Sequence, residues 1–433
     1  MRVESHLIMK SSSYNIKGNR RFDVIVIGGG PAGSTSAALL GMMGHRVLLL
    51  EKEKFPRYHI GESLMPYCYF TLERLGVIDQ IKASNFPRKY SVQFVTTEGK
   101  VSQPFYFFQH LDHDASTTWQ VLRSEFDQIL LNNARTKGVE VREETLVKRI
   151  FKSNGNVEGV EAVDKNEKKH KFIAPFTLDA TGRDGMSMTQ NRWRMRDPVL
   201  NKISIWTYFK GARRDQGLDY GATTVAYLPD KGWFWYVPLS GDLVSVGIVA
   251  DKNYLYRENR ELEKIFLREI PNNPWIEHHL KGSQQVGQYW VTGEYSYRSK
   301  FCAANGLLLI GDAYAFLDPV FSSGVFLALR SGELAADAVH KALSVGDYSA
   351  QQFVDYGREM IKGIESMRKL VYAFYDHEFS FRGFIQRFPE LRGDLTDCLI
   401  GNLFRNMEPL FEGVSEFARL PKPVSYGQPQ IEL

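Results

Sequence analysis

The stretch Gly232-Trp233-Phe234-Trp235-Tyr236-Val237-Pro238 sets two indoles two residues apart, and rings of that size are rarely paired so closely merely to fill a core. Upstream, Gly28-Gly29-Gly30-Pro31-Ala32-Gly33 reads as a dinucleotide fingerprint. In such a loop Gly28 makes the tight turn, Gly30 lets a pyrophosphate approach the backbone, and Gly33 lets the following helix pack on the strand. A third candidate is Lys89, in Phe86-Pro87-Arg88-Lys89-Tyr90-Ser91. An amine reacts at neutral pH only if it can lose its proton, and burial favours that loss by penalising the ammonium. On that segment alone, a solvated lysine beside Arg88 is the simpler reading.

These residues need elements to hold them. Residues 22–27 read as a short apolar strand, 32–43 as a helix rich in Ala, Leu and Ser, and 46–50 as a second strand ending at Glu51. Strand, glycine turn, helix, strand and acid in that order form the βαβ unit the fingerprint requires. The pyrophosphate then meets the helix N-terminus, where free N–H groups and the dipole favour an anion, and Glu51 accepts from the adenosine ribose. Pro31 and Ala32 open that helix, and Lys52 and Arg57 follow the second strand; all four are assigned to the cofactor. Alternating runs in residues 90–108 and 203–249 predict strands of a mixed or antiparallel sheet inserted between the nucleotide-binding segments. Residues 118–137 and 261–268 read as helices, and the chain is mostly helical from 325 to about 418.

The fold expected is therefore α/β. A Rossmann-like domain spans residues 21–340, with a sheet interleaved at about 90–117 and 190–295. A helical region follows over 341–433, and a disordered tail precedes over 1–20. The net charge of +4 on 433 residues gives no warrant for a nucleic-acid partner. Cys68, Cys302 and Cys398 lie far apart, without metal-ligand spacing or an even count, so a metal site and a disulfide scaffold are not expected and a reducing cytoplasm is. No apolar run reaches the roughly 18 residues of a membrane span.

Further segments carry a resemblance. Val121-Leu122-Arg123-Ser124-Glu125-Phe126-Asp127 matches a V-x-R-x-x-F-D helix, and Asp179-Ala180-Thr181-Gly182 a D-A-T-G strand end. Leu307-Leu308-Leu309-Ile310-Gly311-Asp312 is an apolar strand ending in Gly-Asp, followed by Asp318-Pro319-Val320-Phe321-Ser322-Ser323-Gly324 and a helix. Gly61-Glu62-Ser63-Leu64 follows the second strand. Together with the paired tryptophans these resemble the flavin-dependent halogenases. Their G-W-x-W-x-I-P signature is matched except for Val237, and the G-E-S-L segment is that of the branch acting on phenols and pyrroles.

The resemblance implies FAD, with Arg123 reaching the cofactor, Asp312 on its ribityl chain and Gly324 close by. It implies chloride or bromide at Ser322, Ser323 and Gly324, and O2 as oxidant. Trp233 and Trp235 would wall the flavin off from the organic substrate, and Lys89 would hold hypohalous acid beside the arene. Ser91 stands where phenol and pyrrole enzymes often carry Gly. Phe321 stands where the tryptophan enzymes carry a glutamate, which implies an electron-rich phenol or pyrrole, free or tethered to a carrier protein. Only one dinucleotide fingerprint is present, so reduced flavin is expected from a separate reductase. The alternatives are a flavin monooxygenase or prenyl reductase of the same fold, or a flavin-binding carrier or sensor. His59 reads as structural, and Glu62 as either flavin-adjacent or structural.

Overall fold

Val24–Ile27 and Val47–Leu50 lie side by side and parallel at the middle of a six-stranded sheet, every one of their side chains buried. Strands covered on both faces read as continuous apolar runs rather than alternating ones, which is why these two are so plain in the sequence. The sheet runs Ala303–Ala304, Leu307–Leu309, Phe176–Asp179, Val24–Ile27, Val47–Leu50, Glu140–Arg142, parallel except for its first short strand. The computed structural model describes residues 22–293 and 296–431, so the expected tail over 1–20 lies outside the described residues.

The helix Pro31–Met42 leaves the first strand through the glycine turn and packs against Ser323–Val345 and Arg123–Thr136. Its approach is close enough that a Cβ on Gly33 would overlap the carbonyl of Gly28, as the fingerprint requires. The alternating segments fold into a seven-stranded sheet. Its order is Gln284–Gly293, Lys202–Lys210, Leu243–Asp251, Trp233–Pro238, Thr223–Tyr227, Ser91–Val95, Phe105–Tyr106. It is mixed: Thr223–Tyr227 and Ser91–Val95 run parallel, and the other neighbours are antiparallel. A smaller antiparallel sheet, Thr145–Ser153, Asn156–Asp164 and Lys169–Ile173, adjoins the first and was not anticipated.

One expected helix is shorter than read. Residues 118–119 pair as a strand with Arg88–Lys89, and the helix begins only at Arg123. Thr118 and Trp119 are β-branched and aromatic, types that favour a strand, and the pairing buries both. That register matters because it fixes Lys89. Val354–Tyr375, Phe381–Arg387, Arg392–Ile400 and Glu408–Val414 form the helical C-terminal part. Phe379, Phe381 and Phe384 are core residues, each under a tenth exposed. Phe381 stacks on Phe94 of the seven-stranded sheet at 4.5 Å. Burying a phenylalanine contributes about 1.5–3 kcal/mol, so these contacts fasten the C-terminal helices to that sheet.

Candidate active site

A cavity of about 450 Å³ opens at the C-terminal ends of Val24–Ile27 and Val47–Leu50 and runs to the paired tryptophans. Gly28, Gly30, Pro31, Ala32, Glu51, Lys52, Arg57, Arg123, Asp312, Ser322, Gly324, Trp233 and Trp235 all line it. Gly33, Ser323 and Lys89 are set behind this surface. Gly28 has φ +106°, and a Cβ there would overlap the Ala180 carbonyl. A Cβ on Gly30 would instead enter the cavity, with Arg57 Nη2 its nearest neighbour at 3.6 Å. That is the bare backbone a pyrophosphate needs. Glu51 Oε2 accepts from Gly29 N at 2.7 Å and Oε1 from Glu53 N at 2.8 Å, leaving a lone pair on each oxygen for a ribose. The residues present therefore fit FAD.

Two aspartates that the motifs contained, but to which no role was given, organise this surface. Asp127 is fully buried and binds Arg123 through two hydrogen bonds of 2.7 and 2.9 Å, and also Arg57 Nη1 at 2.9 Å. Those cations hold its carboxyl below the usual range against a burial penalty that acts the other way. Arg123 Nη1 also donates to Ile60 O at 2.6 Å, so this arginine holds the Gly61-Glu62-Ser63 loop as well as facing the cavity. Asp179 accepts from Thr181 Oγ1 at 2.6 Å and Ser187 N at 2.6 Å, which shapes the turn carrying Gly182. The Lys52 amine pairs with Asp184 at 2.6 Å. Burial pushes the Asp312 carboxyl up to about 6.

Trp233 and Trp235 lie two residues apart on one strand, so both rings project from the same face, 6.2 Å between centroids. Each indole N–H is anchored. Trp233 Nε1 donates to Tyr375 Oη at 2.8 Å, and Tyr375 donates to the buried Asp318 at 2.8 Å. Trp235 Nε1 donates to Ser245 Oγ at 3.1 Å. Opposite Trp235 in the ladder is Gly247, and a Cβ there would penetrate the indole ring. A glycine inside a strand often marks a close approach, and here the approaching group is the tryptophan itself.

Lys89 is 3% exposed. Its Nζ donates to Ser63 Oγ at 2.9 Å and to Leu64 O at 3.1 Å, and lies 5.6 Å from the Phe107 ring centroid. Burial lowers the amine to about 7. Ser63 and Thr223, hydroxyls 2.7 Å apart, both line the cavity, and Ser63 is the one bonded to Lys89. Ser63 lies within the G-E-S-L segment, and nothing in the sequence marks Thr223. His59 bonds Ile60 O through Nδ1 at 2.7 Å, and burial with the nearby Arg123 lowers it to about 4, so it is neutral at pH 7. Phe321 is buried edge-on against Phe374 and Phe381.

Residues 23–117 and 98–380 match the family model described as tryptophan halogenase. A 1H-pyrrole-2-carbonyl-[peptidyl-carrier protein] chlorinase of Pseudomonas fluorescens is 31% identical over 408 residues, 88% of this chain and 90% of that protein. The corresponding brominase of Pseudoalteromonas luteoviolacea is 32% identical over 396 residues, 89% of this chain and 93% of that one. Among solved structures, the flavin-dependent brominase Bmp2 superposes with a TM-score of 0.84 at 28% identity, covering 92% of this chain and 98% of that one. The myxobacterial chondrochloren halogenase CndH gives 0.78 at 32% identity, covering 92% and 95%. Fold, cavity and relatives agree: the chain belongs to the flavin-dependent halogenases, FAD enzymes that use O2 and a halide.

Proposed function

We propose that this enzyme halogenates an electron-rich pyrrole carried on a peptidyl carrier protein, with Lys89 holding the hypohalous acid. The observation that carries this reading is the buried Lys89 amine, one hydroxyl away from the cavity. A lysine at about 7 is largely able to present a neutral nitrogen, which binds or is halogenated by hypohalous acid. Reduced FAD, when bound, supplies the O2-derived oxidant that converts chloride or bromide to hypohalous acid. Trp233 and Trp235 keep the organic substrate off that end of the cavity, while Ser63 and Thr223 offer a polar step a small acid can follow.

Ser322, Ser323 and Gly324 are our halide site. They open the helix Ser323–Val345, Ser322 sits at φ +59° without capping it by its side chain, and Ser323 Oγ is buried without a hydrogen-bond partner among the described residues. Free first-turn N–H groups and the helix dipole favour an anion there. Phe321 puts an apolar ring where a carboxylate base would help a less reactive arene, which favours pyrrole. The carrier-bound form is favoured by two relatives named for it, each matched over nearly nine tenths of this chain.

Reduced FAD comes from a separate reductase, since the sequence holds one dinucleotide fingerprint. We place the enzyme in the cytoplasm, in keeping with its three buried, unbridged cysteines. Among the described residues no helix is long and apolar enough to cross a membrane. The test is intact mass after supply of reduced FAD, O2 and halide to pyrrole-2-carbonyl carrier protein, free pyrrole-2-carboxylate and a simple phenol. Halide-dependent mass gain confined to the carrier is expected. Gain on the free pyrrole-2-carboxylate or the phenol alone contradicts the carrier assignment.

A further inference from the structure

Glu62 is buried in the cavity wall without a direct cation partner among the described residues. Its Oε1 accepts from Tyr208 Oη at 2.7 Å. Tyr208 Oη lies 3.1 Å from Tyr58 Oη, and Tyr58 accepts from Trp206 Nε1 at 2.7 Å. The indole N–H fills one lone pair of Tyr58 and leaves its hydroxyl proton free to point at Tyr208. Tyr58 lines the cavity and is 47% exposed, so a line of hydroxyls joins the buried carboxyl to a side chain that meets solvent. On its other side Glu62 is hydrogen-bonded by Ser245, the same hydroxyl that anchors Trp235.

The reaction needs such a line. Counted from FADH2, each turnover takes O2, X⁻, one proton and the arene C–H to FAD, the carbon–halogen bond and two waters. Dioxygen gains four electrons, two from reduced flavin and two from the halide. That proton comes ultimately from solvent. We propose that Glu62, Tyr208 and Tyr58 form the relay that carries this proton from solvent to the cavity. Glu62 gives its proton to the cavity and takes one from Tyr208, which takes one from Tyr58, which takes one from water. The proposal rests on the halogenase assignment.

Burial raises the Glu62 carboxyl to about 7, a value suited to both holding and releasing a proton at neutral pH. The charged group whose field reaches it is Arg123, which is already paired with Asp127. Tyr58, Tyr208 and Ser245, which also interact with it, are uncharged at neutral pH. The sequence left Glu62 between a flavin-adjacent and a structural role; the hydroxyl line gives it a third.

Two measurements test the relay. The first is an infrared pH titration of the FAD-loaded protein, which reads protonation without turnover. A protonated-carboxyl band that is lost as pH rises through neutrality, and is missing in Glu62→Gln, is expected. The second is the pH profile of product formation. Glu62→Gln should be roughly 100-fold slower and should lose the wild-type decline above neutral pH, an effect that mere loss of structure does not produce. Tyr58→Phe, a change at the exposed end, should slow turnover while keeping the band. Absence of a titrating band, or wild-type rate and profile in both variants, overturns the relay. A wild-type enzyme that makes no halogenated product overturns the assignment beneath it, a result separate from either.

Discussion

Lys89 Nζ donates to Ser63 Oγ at 2.9 Å, and of the two residues only Ser63 faces the cofactor cavity. The amine is thus reached through a hydroxyl rather than directly. Ser63→Ala keeps the fold and the buried lysine but removes this step. We expect unchanged FAD affinity, roughly tenfold less product per flavin oxidised, and hypohalous acid detected by a soluble trap. The loss corresponds to about one hydrogen bond, ~1 kcal/mol or slightly more. Full coupling in Ser63→Ala would remove the hydroxyl from the route.

Lys89 also has a stability signature. Its folded value is about 7, against about 10.4 for an exposed lysine. Between those values the unfolded chain binds a proton that the folded chain does not, so the penalty shrinks as pH rises through this window. Below about 7 the penalty is complete. Lys89→Met should therefore stabilise the flavin-free protein by roughly 2 kcal/mol or more near pH 6, and much less near pH 10. Urea unfolding at the two pH values reads this. An equal loss of stability at both would show that the amine is not held against its charge.

Gly247 is where the position of Trp235 is decided. Gly247→Ala puts a methyl group into the space of the indole ring, so the ring must move. Such overpacking costs about 1–3 kcal/mol. The near-ultraviolet circular dichroism should change, and flavin oxidation should continue while halogenation falls. Unchanged coupling with a changed spectrum would mean that the ring's placement does not matter to the reaction.

Gly30→Val adds atoms to open cavity rather than to packed protein. The flavin-free protein should unfold at the wild-type urea concentration, while FAD binding weakens about 100-fold, ~2.7 kcal/mol. Equal affinity would move the pyrophosphate away from this turn.

What the sequence made legible follows from how each residue signals. Gly28, Gly30, Gly33 and Glu51 announce themselves because a single local unit, strand, turn and helix, dictates them. Trp233 and Trp235 stand out because two indoles at that spacing are rare. Thr223 and Tyr375 could not be found this way: ordinary residues gain meaning only when distant strands and helices bring them to Ser63 and Trp233. Residues 118–119 were misread as helix because the pairing partner, Arg88–Lys89, lies far back in the chain. The burial of Lys89 is itself non-local, so its lowered value follows from the fold and not from its neighbours in sequence.

We assign formation of the oxidant to the cofactor cavity and its capture to Lys89. The most direct measurement follows flavin oxidation and halogenated product together in Lys89→Ala, with reduced FAD, O2, halide and the carrier-bound pyrrole supplied. FAD binding and flavin oxidation near wild-type rates are expected. Product should fall by three orders of magnitude or more, since held reactants can gain about 7 kcal/mol over free ones. Halogenation by Lys89→Ala at near the wild-type rate would contradict that assignment.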